Sequence, residues 1–202
     1  MTWNMPCSIW GSLPIHRSVK SAPIKYSSDP ALILGSKICG WRRKWLHPAV
    51  SKVVQAKADS SGEEITSRQV KALFETEFLA VPDGWRLLGY DLHSEQQRTH
   101  GRFRLATAGA ELAVNGDGQG LIEALIDAVS RRFGTSVAVV EFDEHALTSG
   151  TDAKALASVT VEVGGKQASA CCIDEDTSFA SLQATLSAVG RALAAQGLRQ
   201  AV

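Results

Sequence analysis

The sequence lacks an excess of charge of one sign, paired cysteine motifs and long apolar runs. Its 202 residues carry 21 Lys+Arg and 21 Asp+Glu, so a basic surface that grips the phosphate backbone of nucleic acid is not expected. No apolar run approaches the ~20 residues of a membrane span. The cysteines fit neither a disulfide framework nor a zinc CxxC pair, and His-x-His and HExxH are absent. They are four in number: Cys7, Cys39, Cys171 and Cys172. We therefore expect a cytoplasmic protein with no nucleic-acid or membrane partner and no metal site.

The charge is divided unevenly along the chain. Residues 1–50 hold seven basic residues, one acidic residue and four of the five tryptophans, whereas residues 51–202 hold fourteen basic and twenty acidic residues. The first ~40 residues show neither helical nor strand periodicity. We interpret residues 1–45 as a poorly ordered segment outside the domain, created by a gene truncation or a misplaced start. The alternative is a basic arm for an acidic partner.

Residues 46–82 are predicted to form a short helical linker. Pro48 suits the first turn of a helix, which ends at a turn over residues 59–62. Thr66 and Gln69 have the spacing of a capping box, and a second helix is expected to continue through Phe78 on one apolar face. A turn at residues 82–84 closes this pair, and the main domain is expected over residues 83–195.

The remaining sequence predicts an α+β domain made of two pseudo-symmetric βββα units, each a three-stranded antiparallel sheet with a packed helix. The first unit has strands at 85–92, 102–107 and 111–114, a polar connection at 93–100 and a glycine-rich loop at 115–120. Its helix runs from Leu121 to Phe133. The second unit has strands at 137–142, 155–163 and 167–173, then a helix after Asp174. The spacing between the units is roughly 55–60 residues.

The glycine-rich loop is the first candidate site. Gly116, Gly118 and Gly120 precede a helix, so their amides are able to face an anion or carboxylate. The loop lacks the Lys-Ser/Thr of a Walker loop and the spacing of a dinucleotide fingerprint. A plain tight turn is the preferred interpretation.

Three further features have structural explanations that we prefer. Glu144-His145 has the composition of an acid/base pair, but neighbours in sequence rarely face each other. Cys171-Cys172 lies in a strand, where small buried thiols are ordinary, although a vicinal redox role is the alternative. The helix face over 178–195 is predicted to be core or subunit interface. Ala180, Ala184 and Ala188 beside it permit close helix approach.

Three signatures in residues 103–193 resemble the C-terminal regulatory (allosteric, dimerisation) domain of 2-isopropylmalate synthase. Gly116-Asp-Gly-Gln-Gly-Leu-Ile-Glu-Ala124 is similar to G-x-G-N-G-P-[IL]-D-A. Val139-Val-Glu-Phe-Asp-Glu-His-Ala146 with Gly150-Thr-Asp-Ala-Lys-Ala155 is similar to V-L-D-Y-x-E-H-A … G-x-D-A-x-A. Ala180-Ser-Leu-Gln-Ala-Thr-Leu-Ser-Ala-Val-Gly-Arg191 is similar to A-S-L-x-A-x-x-S-A-V-N-R. The helical pair resembles the linker subdomain of the same enzymes, so the resemblance covers roughly 48–193.

The resemblance implies a place in leucine biosynthesis. In that family a TIM barrel holds a divalent metal and condenses acetyl-CoA with 2-oxoisovalerate. The barrel, of ~250 residues, does not fit in this sequence. We therefore expect no catalytic residue, no cofactor in this chain and no acyltransferase activity of the chain alone.

The resemblance also implies a leucine site between the two halves, near the interface of a homodimer or of a pair with an intact synthase subunit. The glycine loop supplies polar groups for the amino-acid head: Gly118, Gln119, Gly120, Leu121, Ile122 and Glu123. Apolar residues take the isobutyl tail: Val139, Phe142, Ala146, Ala153 and Ile173. Fixed dipoles for a zwitterion and dry walls for a branched tail are physically sensible.

Six positions depart from the family pattern: Gln119, Leu121, Phe142, Ala170, Cys172 and Gly190. Two alternatives to a leucine sensor follow from the residues. One is a dimerisation remnant that no longer binds leucine, because side chains at glycine positions block a close approach of the backbone. The other senses a different branched amino acid, as citramalate synthases, which resemble this family, sense isoleucine.

Overall fold

The computed structural model describes residues 46–82, 84–107, 110–147 and 153–196. The chain separates into two compact units, one up to Thr76 and one from Glu77 onward. The predicted N-terminal segment 1–45, the turn at 108–109 and part of the motif at 150–155 lie outside the described residues.

The first unit contains two α-helices, as the linker sequence predicts. α1 covers Leu46–Ser61 and α2 covers Ser67–Phe74. Thr66 is the N-cap of α2, and the reciprocal bonds with Gln69 form the predicted capping box. The predicted helix continues through Phe78, and Phe74 and Phe78 are both buried, but its last turn, Glu75–Leu79, is π-helical.

The second unit contains six strands and two helices. The strands are β1 (Arg86–Glu95), β2 (Arg98–Thr107), β3 (Ala110–Gly118), β4 (Val137–Ala146), β5 (Ala155–Val163) and β6 (Lys166–Asp174). The helices are α3 (Leu121–Phe133) and α4 (Thr177–Ala195). Two antiparallel sheets have the orders β1-β2-β3 and β4-β5-β6. The predicted α+β class with two βββα units is confirmed.

Internal symmetry extends to local detail. α3 and α4 begin at Leu121 and Thr177, 56 residues apart. The first strand of each unit carries a bulge, after Leu87 in β1 and after Val139 in β4. A bulge changes the direction of a strand locally. Because β1 and β4 each carry one, the two βββα units are similar in strand geometry as well as in element order.

Several predicted strand limits are wrong because the strands are longer than predicted. Most of the polar segment 93–100 belongs to β1 and β2, and only Gln96 and Gln97, at φ of 46° and 68°, form the turn between them. β3 continues through the predicted glycine loop to Gly118, β4 continues to Ala146, and β6 begins at Lys166. Polar residues occupy these strand ends because exposed strand ends need no apolar side chains.

The two βββα units share one apolar core. It includes Phe103 and Leu125 from the first half and Val159 and Leu186 from the second. Thirteen residues of α4, including polar ones, are buried, so this helix is the central element of the domain. Among the described helices, none is both long and apolar enough to cross a membrane.

Candidate functional site

The glycines before α3 allow the helix to lie close to β3. A Cβ built on Gly118 would lie 2.5 Å from the Cβ of Glu123 and 2.6 Å from the amide nitrogen of Ala124. Gly116 faces Ala124 and Ala128 at similarly short range. Both residues belong to the strand rather than to a free loop. Their lack of a side chain is therefore explained by helix packing, without a ligand.

The end of this segment has a different geometry. Gly120 is the N-cap of α3, has extended backbone (φ −155°, ψ 179°), and has open space where a Cβ would stand. The amide of Gln119 donates to Oε2 of Glu123 at 2.8 Å. The structure therefore brings Gln119 and Glu123 together: the Glu123 carboxylate accepts a hydrogen bond from the backbone amide of Gln119, just before α3 begins. Leu121 and Ile122 are half-buried at the start of α3.

A charged network beside this loop was missed by sequence reasoning. The Asp117 carboxylate lies 2.5 Å from Nδ1 of His100 and 3.7 Å from Nη2 of Arg131. Asp127 accepts from the Asp117 amide and pairs with Arg131, both at 2.9 Å. The network fastens α3 to the β2–β3 hairpin. The i,i+4 spacing of Asp127 and Arg131 is visible in the sequence, but their meeting with His100 depends on the strand register.

The predicted apolar lining lies largely on β4. Val139 and Phe142 pair with Val161 and Val159 of β5, whose side chains belong to the core on the α4 side of the sheet. Directly opposed residues share a face of the sheet, so Val139, Phe142 and Ala146 point to this same side. Val139 is 38% exposed and Phe142 is 44% exposed, which leaves an apolar surface that α4 does not cover.

Two predicted lining residues lie elsewhere. Ile173 pairs with Leu156, which lies on the opposite face of the sheet from Val159. Ala153 precedes β5 and is half-buried. Within this chain, the structure therefore gathers three of the five apolar residues on one face of β4 and places Ile173 on the other face.

The acid/base and redox interpretations find no geometric support. Glu144 accepts from the hydroxyl of Ser181 at 2.7 Å, and His145 points to the opposite face of β4. Cys171 and Cys172 are free and also alternate in direction along β6. Burial raises the pKa of Cys171 to about 12 and the pKa of Cys172 to about 11, so both thiols are protonated at neutral pH.

Within the described ranges, no group of three or more His, Cys, Asp and Glu side chains is placed to hold a metal ion.

The fold and this surface define a class of protein: a pseudo-twofold α+β domain that leaves an apolar strand face uncovered, as interaction domains do. The chain belongs to the family of the LeuA allosteric (dimerisation) domain, whose family model matches residues 64–193.

Three curated relatives, each named 2-isopropylmalate synthase, show the extent of the similarity. The protein of Alcanivorax borkumensis is 41% identical over 149 residues, which are 73% of this chain and 27% of the relative. That of Pseudomonas entomophila is 32% identical over 153 residues (75% and 27%), and that of Rhodospirillum rubrum 35% over 142 residues (68% and 25%). The chain thus spans about a quarter of the length of these relatives.

Proposed function

We propose that this chain is a leucine-responsive regulatory and dimerisation module of 2-isopropylmalate synthase, acting in the cytoplasm on the acyltransferase activity of a barrel that is not within these 202 residues. The observation that carries the proposal is the uncovered apolar face of β4, in a chain that matches the allosteric (dimerisation) family. The three residues on that face, Val139, Phe142 and Ala146, are assigned to the leucine side chain. Burying such a tail contributes roughly 1.5–3 kcal/mol.

The head of the amino acid is assigned to the segment from Gly118 to Glu123. Gln119, Gly120 and the first turn of α3 supply backbone N–H groups, which favour a carboxylate at a helix N-terminus. Glu123 supplies a negative charge for an ammonium group. Because Glu123 now accepts from the Gln119 amide, binding of a zwitterion requires this side chain to turn from the amide toward the ligand.

Ile173 and Ala153 are able to line the proposed leucine site only where a partner subunit helps to close it. Ile173 lies on the other face of its sheet from Phe142, so one copy cannot present both residues to the same isobutyl group without rearrangement. We assign Val139, Phe142 and Ala146 the main role, and we assign Ala153 and Ile173 to the surrounding wall that a partner subunit helps to close.

A thermal melt of the purified chain with leucine, isoleucine and valine tests the proposal. Leucine at 100 times its dissociation constant should stabilise the fold by about 2.7 kcal/mol, a rise in Tm of roughly 5–10 °C. Phe142→Ala should abolish most of the rise. Val81→Ala is the matched control, since Val81 is 38% exposed and lies outside β4 and the proposed leucine site.

Each result separates one of the open alternatives. No shift with any of the three amino acids at millimolar concentration would reject the sensor and leave a dimerisation remnant. A shift with isoleucine alone would identify a citramalate-synthase-like effector. A leucine shift that Phe142→Ala leaves intact would place the ligand elsewhere.

A further inference from the structure

The middle strand of the first sheet, β2, has one buried face and one exposed face. Phe103 is buried in the core, whereas Arg102 and Arg104 on either side of it are exposed. α3 covers the buried face, because a Cβ built on Gly101 would lie 3.3 Å from the Cβ of Ala124. The opposite face of the sheet therefore carries Arg102 and Arg104, which we call the arginine pair.

The guanidinium groups of the arginine pair are not used inside the chain. In the part of the chain that the structure describes, Arg102 and Arg104 have no hydrogen bond and no ion pair, whereas Arg131 pairs with Asp127 at 2.9 Å. Asp91 lies directly opposite Arg102 in the ladder, yet the two side chains form no ion pair. Both arginines thus keep their hydrogen-bond donors open to an external partner.

Gly89 of β1 leaves room for one of these guanidinium groups. Gly89 lies directly opposite Arg104, and a Cβ built on Gly89 would lie 2.8 Å from Nη2 and 3.3 Å from Nε of Arg104. The residue opposite Arg104 on β3 is Ala113, so both neighbours of Arg104 across the ladder are small. The Arg104 guanidinium therefore lies over the backbone of β1, at the surface of the sheet.

The second βββα unit shows that this fold does not require the arginine pair. The bulges in β1 and β4 align the two units, and Thr160 of β5 corresponds to Arg104, since each is the first ladder partner after the bulge. Ser158 corresponds to Arg102 in the same way. Ser158 and Thr160 are uncharged and buried. The corresponding face of the second sheet is therefore closed, whereas that of the first sheet is open and charged.

The shape and charge of this surface fit a protein that carries carboxylates. Small-molecule sites are concave, whereas this surface is the face of a three-stranded sheet. Arginine is enriched in protein–protein interfaces, and its planar group binds a carboxylate through two hydrogen bonds. Asp91 and Glu111 are exposed on the two flanking strands. They disfavour a long polyanion such as nucleic acid, whose phosphates would meet carboxylates on both sides of the arginine pair.

We propose that the arginine pair is a docking surface for an acidic helix of a partner protein. Side chains two residues apart in a strand are separated by about 6.5–7 Å, close to the roughly 5–6 Å between residues i and i+4 of a helix. Two carboxylates on one helical face therefore reach Arg102 and Arg104 together. An open sheet face is also the surface on which helices pack. This surface lies outside the proposed leucine site.

Calorimetric titration of the full chain with a synthetic acidic peptide tests this proposal. The probe is an alanine-based peptide of about 20 residues, long enough to form a helix, with Glu pairs at i and i+4 on one face. We expect saturable binding that added salt weakens. A peptide with Gln at every Glu position should not bind. Arg102→Ser and Arg104→Thr, which introduce the residue types of the equivalent β5 positions, should each weaken binding by about tenfold.

Two further variants separate a specific surface from net charge. Arg132→Gln removes the same charge from an exposed residue of α3, and it should leave binding unchanged. Gly89→Ala removes no charge but displaces the guanidinium of Arg104, so it should weaken binding by a smaller factor than Arg104→Thr. Circular dichroism of each variant should show the wild-type spectrum, because the groups that change or move are exposed ends of flexible side chains.

The outcomes are distinct from those of the leucine experiment. A wild-type chain that does not bind the acidic peptide would overturn the docking surface. Equal weakening by Arg132→Gln and Arg104→Thr would assign the binding to net charge and overturn it as well. Binding of an oligothymidylate in place of the peptide would overturn the choice of a protein partner. The rise in Tm with leucine should be the same in Arg102→Ser as in the wild type, so either proposal is able to fail alone.

Discussion

Single residues in this domain are explained more often by packing than by ligand chemistry. Gly190 replaces the Asn of the related family motif, and a Cβ built on it would lie 2.5–2.8 Å from three atoms of the Trp85 ring. The Trp85 ring, 6% exposed, occupies the room that Gly190 leaves. The departure at Gly190 is thus matched by a large neighbour and gives no evidence for or against leucine binding.

We expect Gly190→Asn to destabilise the domain by about 1–3 kcal/mol, because an added side chain in a packed core forces the indole to move. Urea unfolding followed by circular dichroism measures this loss. Gly120→Ser is the control, since Gly120 has open space at its Cβ and Ser is a good N-cap residue. Trp85→Leu should recover part of the loss in the Gly190→Asn background. Equal stabilities of the wild type and Gly190→Asn would contradict the packing explanation.

The start of α4 shows how one element is fixed by titratable groups. Asp176 is its N-cap and accepts from the Phe179 amide and from the Tyr90 hydroxyl. Burial opposes ionisation of Asp176, but bonds from Tyr90 and the amides of Phe179 and Ser178 outweigh it and lower its pKa. Burial and then the bond to Asp176 raise the pKa of Tyr90. The pair therefore favours the state in which Asp176 is ionised and Tyr90 is protonated.

The pH dependence of stability follows from these directions. A lowered carboxyl pKa contributes stability that is present above the unfolded value and is lost as pH falls through the folded value. A raised tyrosine pKa contributes stability that is lost as pH rises through its folded value. We expect Asp176→Asn to reduce the loss of Tm between pH 5 and about 3, with the cap retained. Asp176→Ala should cost about 0.5–2 kcal/mol at pH 7. Identical acid profiles of Asp176→Asn and wild type would contradict this role.

Elements with strong local signals were predicted well, and those set by tertiary contacts were not. The capping box at Thr66 and the helix end at Gly134 (φ 63°) are visible in sequence. The hairpin at Gln96-Gln97 was missed because two glutamines seldom adopt positive φ, and Asn-Gly is the usual signal. The candidate site shows the same limit: Phe142 and Ile173 were both predicted as apolar wall, but only strand register shows that they lie on opposite faces.

At the scale of the whole domain, the two βββα units share one core rather than folding as separate modules. Trp85, just before β1, lies 5.2 Å from the ring of Phe133 in α3 and also packs on Gly190 in α4. Gln183 of α4 holds the backbone of β1. Because residues of each βββα unit are buried against the other, local unfolding of one βββα unit should expose the core of both.

We therefore expect residues 85–195 to unfold in one cooperative transition. Leu125→Ala in α3 and Leu186→Ala in α4 each remove a side chain that is 1% exposed or less, at a cost of about 2–5 kcal/mol. Native-state hydrogen exchange should show that either change lowers protection in β2 and in β5 by the same factor, about thirtyfold or more. Val81→Ala should leave both strands protected. If Leu186→Ala lowers protection in β5 and leaves β2 unchanged, the halves open independently and the shared core does not make them one cooperative unit.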